Sequence, residues 1–282
     1  MKKLTTILTI SAMVLAASCN KAEAPVQEEA MTFSVSMPMT KAVTADGSAI
    51  NKVWYGLYKT DGTLVSNYQP VDFKDGSANC KVVMLRGNSY KIVFVAQHEE
   101  TYTITPETAT VSMPAAPVAN SDNYDLFYVV KEVNNYNGEK TDAVVLNRGV
   151  ALVKFNCSDA DWQNAIALKS VPTHSSVTLK GVPTSFNLLS ATSGTERDVT
   201  YTKSEIPAEK FVAAAYCFDP DNNITAEINL YKGESLVSTL SVGNVPVESN
   251  KQTNISGSIM TGTVDFTISI TTGSESTDKV VE

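Results

Sequence analysis

The stretch "MTFSVSMPMTKAVTADG" (Met31–Gly47) decides how the rest of the chain is read. Its first nine residues alternate strictly. Met31, Phe33, Val35, Met37 and Met39 fall on one side, and Thr32, Ser34, Ser36 and Pro38 on the other. Period two with a single apolar face is the mark of a half-buried β-strand. Pro38 has no N–H to give, so the pattern predicts an edge strand or one that leaves its ladder early. A loop carrying Lys41 and Gly47 follows directly.

Upstream, Lys2 and Lys3 precede the apolar stretch Leu4–Ser18. It is shorter than the roughly 20 apolar residues that a membrane-spanning helix needs, and it reads as an export leader over residues 1–18. The leader ends in "LAASCN", whose small residues before Cys19 resemble a bacterial lipoprotein signal, with Leu15 four residues ahead of the cysteine. The alternative is an ordinary secretory leader cleaved near Ser18. On the lipoprotein reading Cys19 becomes a diacylated N-terminus, and more than one acyl chain makes anchoring stable. Residues 19–30 then form a lipidated spacer, polar, acidic and proline-bearing.

Without the leader 264 of the 282 residues remain, with 20 basic side chains against 30 acidic ones, a net charge of −10. That length favours two modest domains, expected at residues 31–148 and 149–282. The acidic balance argues against nucleic acid as a partner, because phosphate backbones are met by basic patches. No segment after the leader is long and apolar enough to span a bilayer.

Downstream, nearly every segment has strand character. "VWYGLYKTDGTLV" (Val53–Val65) places two β-rich runs around Thr60-Asp61-Gly62, a hairpin signal. "YKIVFVAQ", "YDLFYVVKEV", "AVVLNRGVALVKFNC", "AEINLYKGESLVSTLSV" and "TVDFTISI" follow at short intervals between turn residues. "LYKTDGTLV" from Leu57 and "LYKGESLV" from Leu230 echo one another, in keeping with two copies of one sandwich. The one helical patch is "SDADWQNAIAL", where Ser158 or Asp159 caps about two turns with Trp162 and Ile166 on one face. Many short strands with regular turns predict all-β sandwich architecture. With Cys19 lipidated, the odd set Cys80, Cys157 and Cys217 remains. Cys157 shares a strand face with Val153 and Phe155, and Cys217 one with Phe211 and Ala215, so buried free thiols are expected.

Signals for chemistry are sparse. His98 and His174 have no neighbouring cysteine or paired carboxylate, and HExxH, GxSxG, CxxC and glycine-rich phosphate loops are all missing. "DPDNN" (Asp219–Asn223) begins like a calcium loop but lacks the central glycine, and Leu230 stands where a bidentate glutamate belongs. The chain is therefore expected to be no enzyme and to hold no cofactor or metal.

"MTFSVSMPMTKAVTADGSAINKVWYGLYKTDGTLV" resembles the start of the fimbrillins, lipoprotein subunits of type V pili in Gram-negative anaerobes. "VVLNRGVALVKF", "VPTSFNLLSA" and "SNKQTNISGSIMTG" resemble later strands of that family. The resemblance implies two transthyretin-like β-sandwich domains in tandem, export as a lipoprotein and a place on the outer membrane surface. It also implies a use for the first strand. A protease cutting after a basic residue in the loop behind it removes the strand, and the next pilin subunit fills the groove by β-strand addition. Met31, Phe33, Val35, Met37 and Met39 would be the removable seal, and Lys41 the processing site. Residues 263–270, with Val264, Phe266, Ile268 and Ile270 on one face, would be the donor. The family's proteases are known for arginine, and none lies between Cys19 and Arg86, so an uncut, anchored accessory subunit is the other outcome. The expected partners are other pilin subunits, the outer membrane through the lipid, and a host or bacterial surface ligand. The competing reading is a surface glycan-binding lipoprotein, which needs exposed aromatic rings, whereas Trp54 and Trp162 are both expected to be buried.

Overall fold

The computed structural model describes residues 27–38, 48–260, 266–272 and 275–280, so Cys19, Met39, Lys41 and Val264 lie outside the described residues. The first half gives β1 (Glu28–Ser36), β2 (Lys52–Lys59), β3 (Leu64–Asp72), β4 (Ser77–Leu85) and β5 (Tyr90–Gln97). The short β6 (Thr103–Thr105) and β7 (Thr110–Ser112) come before β8 (Leu126–Val133). β9 (Thr141–Val145), β10 (Asn147–Arg148) and β11 (Ala151–Cys157) follow in quick succession. The helix α1 (Asp159–Ala167) leads to β12 (His174–Pro183), β13 (Ser185–Asn187), β14 (Thr192–Ser193) and β15 (Glu196–Glu205). Then come β16 (Phe211–Cys217), β17 (Ile224–Lys232), β18 (Ser235–Val245), β19 (Lys251–Gly257), β20 (Phe266–Thr272) and β21 (Glu275–Val280). The fold is the expected all-β sandwich.

Two pairs of sheets enclose two cores. The sheet β4-β1-β9 lies over β10-β8-β5-β2-β3, with Phe33, Cys80, Phe94 and Phe127 between them. The sheet β16-β11-β19-β20-β21 lies over β15-β12-β17-β18, with Phe155, Val177, Tyr201 and Ile228 between them. A small sheet, β14-β13-β7-β6, belongs to a third core that includes Val93, Val95, Leu152, Phe186 and Tyr216. β5, β11 and β16 thus bury both faces, which explains why they read as continuous apolar runs.

Ties cross the expected 148/149 division. β7 pairs with β13, and Ala119 sits in the second core. The Asn120 amide donates to Ser175, Ser204 and the Glu205 carbonyl, and its oxygen accepts from the Ala214 N–H at 2.7 Å. "AVVLNRGVALVKFNC" is three strands in three sheets, not one long strand. It breaks at Leu146 and at Gly149–Val150. Gly149 is required there, because a Cβ would stand 2.8 Å from the Tyr128 ring.

The echoed segments form the hairpins β2–β3 and β17–β18. Ser158 caps α1 by accepting from the Asp161 N–H. The helix buries Asp161, Trp162 and Ala165, and leaves Ile166 exposed, contrary to the Trp162–Ile166 face expected. The cause is Asp161, drawn inward by the Cys157 thiol at 3.2 Å and the Met260 N–H at 2.7 Å. All three described cysteines are free and buried. Phe211 departs from the expected Cys217 face. The register slips beside Phe155, and the ring lies under the Lys154 ammonium at 3.9 Å on the other side.

Candidate functional site

β1 is the middle strand of its sheet, not an edge. It runs antiparallel to β4 from Glu28↔Leu85 to Ser36↔Ser77, and parallel to β9 from Thr32↔Thr141 to Ser36↔Val145. The ladder ends at Ser36, two residues short of Pro38, so the proline is accommodated by an early exit. The strand also begins at Glu28, inside the expected spacer, because β4 continues to pair with it as far as Leu85.

Its inward side chains fill the first core. Met31, Phe33 and Val35 are buried, while Met37 is half-buried at the margin. The Phe33 ring packs against Phe94 of the opposing sheet with centroids 5.4 Å apart. Neither neighbour of β1 is joined to it by a short loop, since β4 begins at Ser77 and β9 at Thr141. The strand is therefore inserted between β4 and β9, which pair with no other strand among the described residues. Taking it out would leave a slot with unpaired N–H and C=O groups along both walls and an apolar floor.

A charged clasp holds its upstream end. Glu29 is buried, its carboxylate 2.6 Å from Arg86 Nε just beyond β4 and also bonded to Lys140 just ahead of β9. Hydrogen bonds from Arg86 first, and then Lys140, hold the Glu29 carboxyl down at about 2. The clasp was legible in principle. Extending the alternation back one step puts Glu29 on the apolar face, where a carboxylate needs cationic partners.

The remaining predicted residues are distributed as follows. Phe266, Ile268 and Ile270 lie on β20, which pairs with β19 in its own sandwich, and Phe266 and Ile268 pack on the second core. β20 is not the last strand, because β21 pairs with its outer side. Trp162 is buried as expected, but Trp54 is only half-buried and lines a surface cleft. Among the described residues no group of three or more His, Cys, Asp or Glu side chains could hold a metal ion, and no helix is long and apolar enough to cross a membrane.

Solved structures with the same fold include a candidate polysaccharide-binding protein from Bacteroides thetaiotaomicron. Its TM-score is 0.57 at 11% identity, over 89% of this chain and 98% of that chain. A candidate cell adhesion protein from Bacteroides uniformis gives 0.53 at 9% identity, over 90% and 97%. A fimbrial assembly protein from Parabacteroides distasonis gives 0.50 at 9% identity, over 90% and 99%. No curated protein matches the chain. One family model matches residues 22–279, nearly the whole sequence, and the chain accordingly belongs to that family of unknown function, DUF6562.

Proposed function

We propose that this protein is a cell-surface adhesive or pilus subunit of fimbrillin type, exported as a lipoprotein on Cys19, that assembles with further subunits by strand exchange. The carrying observation is the position of β1, an N-terminal strand inserted between β4 and β9 with three buried side chains in the first core. A replacement strand from another subunit would have to run in the same direction as β1, antiparallel to β4 and parallel to β9. It would present apolar side chains at alternate positions. β20 carries such a pattern in Phe266, Ile268 and Ile270, and it would have to leave β19 to donate it. The adhesion and fimbrial descriptions of structures sharing the fold are in keeping with this role. The role is structural and needs no catalysis.

Intact-mass and N-terminal analysis of the protein from its native outer membrane tests the reading. The expected products are a diacylated chain beginning at Cys19 and a shorter chain beginning after Lys41. A Cys19→Ala variant should lose acyl labelling and membrane retention. Unchanged fractionation of that variant with the membrane contradicts the lipoprotein part of the reading.

A further inference from the structure

On the face of the β2–β3–β5 sheet turned away from the first core lies a cleft of about 270 Å³. Trp54, Asn67, Tyr68, Gln97, Glu100 and Thr103 are among its lining residues. We propose that this cleft binds a neutral saccharide.

The site is built rather than incidental. The Gln97 amide donates to the Tyr102 carbonyl at 3.2 Å and accepts from its N–H at 2.7 Å, closing the loop between β5 and β6. Asn51 grips the same loop through the Glu99 carboxylate and N–H, and the Trp54 indole N–H donates to the Glu99 carbonyl at 3.4 Å. The indole is thereby oriented, and the exposed Glu100 is held on the rim. Tyr68 packs against Gly56, where a Cβ would come within 2.8 Å of its ring.

The buried Tyr68 and Tyr58 rings meet edge to face with centroids 6.3 Å apart, and the Tyr58 hydroxyl donates to the Pro106 carbonyl at 2.7 Å, which fixes the wall that Tyr68 and Pro106 give the cleft.

The lining selects the chemistry. The partly open indole offers an apolar wall for the C–H face of a pyranose ring, and the carboxylate, amide and hydroxyl groups around it suit ligand hydroxyls. Among the described residues no Lys, Arg or His lines the cleft, and Glu100 together with the net negative charge disfavours anions.

The test titrates residues 20–282 with cellohexaose, mannohexaose, xylohexaose and chitotriose by calorimetry and tryptophan fluorescence, with a heparin hexasaccharide as the anionic probe. At least one neutral oligosaccharide should bind saturably. Trp54→Ala should weaken it by about tenfold or more, whereas Trp162→Phe should leave it unchanged. If Trp54→Ala does not fold, the exposed Glu100→Ala takes its place with the same direction of effect. No binding of any neutral probe, binding of heparin alone, or unchanged affinity in the cleft variants overturns the proposal. β1 contributes no residue to the cleft, so that failure would leave strand exchange untouched.

Discussion

Phe33 and Cys80 sit directly opposite one another in the β1–β4 ladder, and both are fully buried. Burial pushes the Cys80 thiol up to about 12. A thiol in that state is a poor nucleophile, because the thiolate is the reactive form. Cys80 therefore reports on whether β1 is in place.

The chain starting at Asn20 should show no thiol reactive toward dithionitrobenzoate at pH 8 in the native state, since Cys157 and Cys217 are buried as well. In the chain starting at Ala42, one thiol should react within minutes and map to Cys80. Rapid labelling of Cys80 with β1 present would show that the strand does not cover it.

Phe33→Ala should destabilise the chain starting at Asn20 by about 3–5 kcal/mol, the cost of emptying an aromatic site in a packed core. Chemical denaturation measures it. The cavity would open opposite Phe94, whose ring loses its contact at 5.4 Å.

The Glu29 clasp makes stability depend on acid. Its carboxyl is held at about 2 in the folded protein against an ordinary value of 4.5. A depressed carboxyl contributes stability that is complete above the unfolded value and is lost as pH falls toward the folded one. Glu29→Gln should lower the denaturation midpoint at pH 7, and the gap to the parent should close between pH 4.5 and about 2. A gap that does not vary with pH would rule out ionic fastening by Arg86 and Lys140.

At the foot of the first sandwich, Arg148 grips Asp125 through Nε at 2.8 Å and Nη2 at 3.0 Å, and its guanidinium lies 4.9 Å from the centre of the Phe127 ring. Arg148→Met leaves a buried carboxylate unpaired and should cost about 3–5 kcal/mol. Adding Asp125→Leu should recover much of that loss in the same denaturation assay.

Strand identity was legible wherever one face is apolar, as in β1, and the hairpin at Thr60-Asp61-Gly62 was legible from its turn. The central place of β1 was not. Its partners begin at Ser77 and Thr141, and a parallel pairing with β9 leaves no local turn to read. Trp54 is half-buried rather than buried because both faces of β2 are covered in part, and alternation does not say which side stays open. β21 has no signature in the sequence because "ESTDKV" lacks apolar alternation, and Phe211 leaves the Cys217 face at a bulge that sequence period cannot register.

The most direct measurement compares chains starting at Asn20 and at Ala42. Loss of β1 removes Met31, Phe33 and Val35 from the core, each worth roughly 1.5–3 kcal/mol in burial before ordering entropy is subtracted. Domain stabilities are only about 5–15 kcal/mol, so the melting temperature should fall markedly. The open slot should also drive laddering on gels. A synthetic peptide spanning Glu28–Pro38 should suppress the ladders, raise the melting temperature and protect Cys80. A chain starting at Ala42 that stays monomeric, melts with the longer chain and ignores the peptide would contradict strand exchange.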